Sequence, residues 1–229
     1  MFELDKIIGV IFDFNGTMLF DSKYHIKAWS MYVEEITGTY PDESDQRNYI
    51  VNKSAKDILE HFLGYEISKD TLEQLSEEKE HIYRKLLAND TPPLAPGLVD
   101  FLNYLDKYNI PRTIATTANL SNIMYYFEAY DLYRWFDPDK LVYHDKRLRD
   151  KPFPDLYLVA CKMINIPPKS CIVFEDSETG ILSAINAGVE NIVAVTGDND
   201  CKGLDGLKHI RACINDFTDL KKELEIKNM

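Results

Sequence analysis

An α/β fold is predicted for this chain: a doubly wound, Rossmann-like parallel sheet core with an inserted α-helical cap. Three observations carry the prediction. Short, continuous, β-branched apolar runs recur along the sequence, and helical patterns alternate with them from about Leu94 onward. The stretch between Asp21 and Thr91 holds amphipathic helices but no convincing strand. At 229 residues, 45% hydrophobic and 28% charged, the chain can bury one large core and a smaller appendage.

Residues 7–12 (IIGVIF) have the character of a strand buried on both faces. The chain then leaves the sheet. Ile26, Trp29, Val33 and Ile36 fall at helical spacing, as do Leu72, Leu75, Ile82 and Leu86 in a long charged stretch. Residues 89–97 (NDTPPLAPG) read as the return linker, which divides the chain into a core of residues 1–19 and 93–229 and a cap of 20–92. Further strands are predicted at 112–116, 141–143, 171–174 and 191–195, and helices at 97–108, 121–130, 154–164 and 179–187. The tail INDFTDLKKELEIKNM reads as a last amphipathic helix with a solvated charged face.

Composition narrows the function. The chain carries 26 basic and 38 acidic residues, a net charge of −12, which argues against a nucleic acid or an anionic membrane as the main partner. An anionic small molecule would need local help from a metal ion, a lysine or helix N-termini. Cys161, Cys171, Cys201 and Cys213 form no C-x-x-C pair, so structural zinc is not expected. Cys161 and Cys171 lie in apolar runs and read as reduced, small hydrophobes. With no signal-peptide pattern and no apolar run near the ~20 residues that span a bilayer, a cytoplasmic protein is expected.

In an open α/β sheet, ligands bind beyond the carboxyl ends of the parallel strands. The first run ends in Asp13, followed by Asn15; the second in Thr116 and Thr117; the run CIVF in Glu175, Asp176 and Ser177. Carboxylates from two strands converge if the strands are neighbours, and an all-oxygen set favours Mg²⁺ over zinc. Lys151, in DKPFPD, is placed to offset their charge. Taken singly, Asp176 or Ser177 reads better as a helix N-cap, Thr116 as a strand residue and Lys151 as a surface charge. Four such elements in order are hard to ascribe to capping alone.

FDFNGTM, IATTAN, DKPFPDLY and VFEDSETGILSAINAG resemble the four motifs of the haloacid dehalogenase superfamily. The placement of the helical insertion is similar to the branch typified by β-phosphoglucomutase and sugar-phosphate phosphatases, and the resemblance covers nearly the whole chain. It implies that Asp13 is a nucleophile forming an aspartyl-phosphate. It further implies that Asp176, with Glu175 and the backbone carbonyl of Asn15, joins Asp13 in holding Mg²⁺. Thr116 would hydrogen-bond the transferring phosphoryl group and Lys151 would neutralise charge.

Asn15 departs from the family pattern, which usually has a second aspartate there as general acid and base. A carboxamide hydrogen-bonds but does not exchange a proton near neutral pH, and such catalysis is worth ~10² to 10⁴ in rate. An acyl or aryl phosphate substrate, or a substitute proton carrier such as His25 or Asp21, would reconcile the site with turnover. In the cap, His25, Lys53, Lys56 and Lys79 are the polar candidates for reading substrate, with Thr117 in the core; Tyr24, Trp29 and Tyr83 are candidate walls. Tyr125, Tyr126, Tyr130 and Tyr133 read as packing and surface.

The expected function is Mg²⁺-dependent hydrolysis of a small phosphorylated metabolite by a monomer or weak homodimer. The alternatives are a weakly active phosphometabolite-binding protein, a β-phosphoglucomutase-like mutase, or a phosphonatase-like hydrolase using Lys53 or Lys56 as a Schiff-base lysine.

Overall fold

A computed structural model describes residues 8–51, 53–143, 147–197, 203–204, 206–218 and 220. In chain order the main elements are β1 (Gly9–Phe12), α1 (Ser22–Thr37), α2 (Glu43–Asp45), α3 (Ala55–Leu63), α4 (Lys69–Asp90), α5 (Leu98–Lys107), β2 (Arg112–Ile114), α6 (Leu120–Ala129), α7 (Asp155–Met163), β3 (Cys171–Glu175), α8 (Glu178–Asn186), β4 (Asn191–Val195) and β5 (Ile210–Ile214). They fall into two compact units, Met1–Phe20 with Pro93–Met229, and Asp21–Pro92.

The first unit is built on a five-stranded parallel sheet in the order β2-β1-β3-β4-β5. β1 pairs with β3 in the register Phe12↔Phe174 and with β2 in the register Phe12↔Ile114. Both faces are covered, as the continuous apolar runs require. On one face Phe12 stacks on Phe174, with ring centroids 5.2 Å apart, and Phe101, Phe136 and Phe217 close around them. On the other, Ile11, Val173, Ile192 and Ala194 pack against Leu156, Tyr157, Ala160 and Cys161 of α7 and Ile181 and Ala184 of α8. α6 and α8 start at side-chain caps: Asn119 accepts from the Asn122 N–H and Ser177 from the Gly180 N–H.

Two predicted features differ. Residues 141–143 form no strand; Val142 makes a single bridge to Ala115, donating to Ile114 O and accepting from Thr116 N. The 3-10 turn Pro138–Lys140 brings the chain to the sheet edge just before it, so one residue pair lines up. β5 was not anticipated, because IRACI is a partly exposed edge strand whose Arg211 and Cys213 blur the apolar signal. Cys161 and Cys171 are free and buried, with sulfurs 3.8 Å apart, whereas Cys213 is disulfide-bonded. Cys201 and residues 221–229 of the expected last helix lie outside the described residues.

The second unit is helical, with a core of Trp29, Tyr32, Val33, Ile50, Ile58 and Leu59 against which Ile36, Leu72, Leu75 and Ile82 pack. Ser54 and Ser68 cap α3 and α4 by accepting from Asp57 N and Thr71 N. No helix among the described residues is long and apolar enough to cross a membrane.

The Phe12–Phe174 stack is the centre of the aromatic layer, and truncating a buried phenylalanine costs about 3–5 kcal/mol. Phe174→Ala is expected to lower the urea midpoint by a corresponding amount at unchanged slope; a midpoint within error of the parent would show that the layer closes over the missing ring.

Candidate active site

Asp13 follows β1, and its N–H extends the parallel ladder by donating to Phe174 O at 2.9 Å. Glu175 is the last residue of β3. Since β1 and β3 are neighbours, the two carboxylates emerge side by side, and Asp13, Glu175 and Asp176 each offer an oxygen within 4.8 Å of the others, a set that could hold a metal ion. Asp13 and Glu175 are 5% and 0% exposed, so the cluster is desolvated.

Lys151 joins them. Its ammonium donates to Asp13 Oδ1 at 2.7 Å and also to Glu175 Oε1. Burial disfavours the charged lysine, but the charges of Asp13 and Glu175 outweigh it and raise its pKa. Glu175 is held further by Tyr157, whose hydroxyl donates to Oε1 at 2.9 Å, and by the N–H and hydroxyl of Ser177 on Oε2. Burial pushes the Glu175 carboxyl up; Lys151 and these donors bring it below the ordinary range. Asp176 is the opposite case: burial, then the charges of Glu175 and Asp13, push its carboxyl up to about 9. Three carboxylates facing one ammonium leave a negative excess that a divalent cation would relieve. The donor set therefore fits a hard metal ion.

Ser177 is the residue that caps α8, and Asp176 is not. Two glycines make room for the acids. A Cβ at Gly180 would overlap the Glu175 carboxylate, and one at Gly16, where φ is +78°, would overlap that of Asp176. Thr116 is buried just beyond β2, its Oγ1 accepting from Ala118 N at 3.1 Å, and Thr117 beside it is exposed. Asn15 donates from Nδ2 to the hydroxyl of Tyr126 at 2.8 Å. The buried Thr17 hydroxyl has no hydrogen-bond partner among the described residues.

The other sequence-derived candidates belong to the second unit. Lys53 is exposed and Lys56 pairs with Glu60 at 3.7 Å on the surface. His25 stacks on Tyr83 at 4.0 Å, accepts from Lys79 at Nδ1 (2.8 Å) and faces Asp21 with Nε2 at 3.3 Å. Lys79 is 1% exposed, lies over the rings of Trp29 and Tyr83 and pairs with Glu80 at 2.8 Å; burial is the main cause of its lowered pKa. Tyr83 donates to Asp21, which is also buried. Sequence reading did not single out Tyr157, although it lies in DKPFPDLY, and it took Tyr126 for packing.

A family model described as haloacid dehalogenase-like hydrolase matches residues 7–188. Among curated proteins the chain is similar to the phosphorylated carbohydrates phosphatase of Thermotoga maritima, 28% identical over 86% of this chain and 89% of that one. It is 30% identical to the β-phosphoglucomutase of Bacillus subtilis over 79% of this chain and 80% of that one. Among solved structures, a haloacid dehalogenase-type hydrolase of family IA, variant 3, from Entamoeba histolytica superposes with a TM-score of 0.89 at 33% identity, over 96% of this chain and 98% of that one.

Gly180→Ala is expected to push the Glu175 carboxylate away from Lys151 and Tyr157 and to destabilise the protein by about 1–3 kcal/mol, the range for forced overpacking. Equal melting temperatures for variant and parent would show that Glu175 can swing aside without loss.

Proposed function

Since this chain belongs to the haloacid dehalogenase-like hydrolases, we propose that it is a phosphatase, acting on a small phosphorylated metabolite through an aspartyl-phosphate at Asp13. The observation that carries this reading is the desolvated Asp13 carboxylate bound to Lys151 at 2.7 Å, beside Glu175 and Asp176. The named activities of the relatives, a phosphatase of phosphorylated carbohydrates and a sugar phosphomutase, support the substrate class. Asp13 attacks phosphorus, the leaving oxygen departs with the electron pair of the broken P–O bond, and water then attacks the same phosphorus to free Asp13 and inorganic phosphate. Lys151 offsets charge on Asp13 and the phosphoryl oxygens, and the Thr116 hydroxyl donates to one of them.

Mg²⁺ is the proposed cofactor, held by Asp13, Asp176, Glu175 directly or through water, and the Asn15 carbonyl; when bound it neutralises phosphoryl charge. The proposed catalytic domain comprises residues 1–19 and 93–229 and the proposed cap domain 20–92, with Thr117 of the first and His25, Lys53 and Lys56 of the second as substrate-binding residues. The proposed oligomeric state is a monomer or weak homodimer. The buried thiols of Cys161 and Cys171 support a cytoplasmic setting, and the disulfide at Cys213 weighs against it. Asn15 favours one second reading, a phosphometabolite-binding protein with slow turnover. A mutase is disfavoured, because it needs two proton transfers at that position.

With Mg²⁺, the protein is expected to release phosphate from phosphorylated substrates, and Asp13→Ala to abolish release; equal rates in parent and variant would overturn the mechanism. Binding of phosphate analogues without turnover would establish the second reading.

Linkage gives a pH test of the cation. Asp176, at about 9 in the folded protein against an ordinary value near 4, keeps a proton that the unfolded chain has lost, so the ion-free protein loses stability as pH rises across that window. Mg²⁺ takes the proton's place. The gain in melting temperature on adding Mg²⁺ is expected to be larger at about pH 8.5 than at about pH 6; equal gains would remove Asp176 from the cation's ligands.

A further inference from the structure

Asn15 is held from two sides. Its backbone lies in a tight turn in which Met18 N and Leu19 N donate to Phe14 O at 2.8 and 3.1 Å and Gly16 N donates to Leu19 O at 2.8 Å. Its carboxamide is held by the Tyr126 hydroxyl at 2.8 Å. Tyr126 is 0% exposed, and its ring stacks on Phe14, itself 0% exposed, at 4.2 Å and 16°. The hydroxyl therefore has little freedom: α6 carries it and the Phe14 ring fixes its plane. A side chain that merely replaced a lost acid would need no such support. Asn15, two residues after Asp13, is instead a fixed hydrogen-bonding group with no proton to give.

We propose that the Tyr126-anchored Asn15 makes this site selective for phosphoryl donors whose leaving group departs as a stable anion, that is acyl, enol or acidic aryl phosphates. The inference rests on the phosphatase reading above and deepens it. When Asp13 attacks, the P–O bond breaks and its electron pair goes to the leaving oxygen. A carboxylate, enolate or acidic phenolate holds that charge with no more than a hydrogen bond from the fixed Asn15 amide, whereas the alkoxide of a simple sugar phosphate needs a proton that Asn15 cannot supply. In the second step water attacks the aspartyl-phosphate, and its proton leaves on the product phosphate or to solvent. Tyr126 is a positioning residue, acting through Asn15 and touching no reacting atom.

The test is a leaving-group series: acetyl phosphate, aryl phosphates of increasing leaving-group basicity and glucose 6-phosphate, each with Mg²⁺, on the parent, Asn15→Asp, Tyr126→Phe, Asn15→Ala and the Tyr126→Phe/Asn15→Ala double variant. The parent is expected to favour acetyl and acidic aryl phosphates over glucose 6-phosphate by at least ~10²-fold in kcat/KM, and Asn15→Asp to recover ~10²- to 10⁴-fold on the sugar phosphate while gaining little on the aryl esters. Tyr126→Phe keeps the ring stack and is expected to lower kcat on aryl phosphates about 10- to 100-fold with KM nearly unchanged. In the Asn15→Ala background the same change should cost nothing more. Equal parent rates on glucose 6-phosphate and aryl phosphates would overturn the selectivity while leaving the phosphatase intact. An undiminished Tyr126→Phe loss in the Asn15→Ala background would overturn the positioning role. No turnover of any donor, with no phosphate on Asp13 by mass spectrometry after acetyl phosphate, would instead overturn the phosphoryl-transfer reading itself.

Discussion

The register Phe12↔Phe174 between β1 and β3 is the constraint on which the site depends. From β1 the chain adds β2 on one side and later β3 on the other, so the ends of β1 and β3 flank the point where the strand order reverses, the place where open α/β sheets bind ligands. The next residues, Asp13 and Glu175, then stand side by side. A slip of one residue would turn every side chain of the strand to the opposite face. The stacked Phe12 and Phe174 rings prevent it by burying the register in the aromatic layer. Core packing thus sets the geometry of the acids.

Such a cluster is an unfavourable thing to fold. Three acids in a desolvated pocket with one ammonium repel one another, and each ion has given up its hydration. The fold answers with specific donors: Lys151 for Asp13 and Glu175, Tyr157 and Ser177 for Glu175. At Asp176 the charge of Lys151 and a backbone hydrogen bond are outweighed by burial and by the charges of Glu175 and Asp13, and its raised carboxyl marks where the electrostatics are incomplete. Groups arranged so that their proton affinities are driven apart are characteristic of sites that perform chemistry.

What sequence reading could recover follows from the range of each signal. Strand runs, helix caps and the acids closing β1 and β3 are local patterns, and Asp13, Glu175, Asp176 and Lys151 were legible because strand ends, residue type and order all point one way. The family resemblance supplied their roles. The Asn15–Tyr126 bond links residues 111 apart, and Tyr126 sits in an amphipathic helix where an aromatic is ordinary core. Lys79 was named only as a polar candidate for reading substrate, and the tertiary structure is what buries it over the rings of Trp29 and Tyr83 and beside the His25 imidazole. β5 was lost because edge strands have no second buried face to enforce an apolar run.

The turn that holds Asn15 also bears on the chemical lifetime of its side chain. Asn15 precedes Gly16, a pairing in which the glycine nitrogen can attack the carboxamide carbon, expel ammonia and leave a succinimide that water opens to aspartate or isoaspartate. Here the Gly16 N–H is donated to Leu19 O and the carboxamide is fastened to Tyr126, so the fold holds both reacting groups away from ring closure. The native protein preserves an amide that the unfolded chain would slowly lose. Unfolding is therefore what opens a route to an acid at position 15, written by hydrolysis and not by its gene.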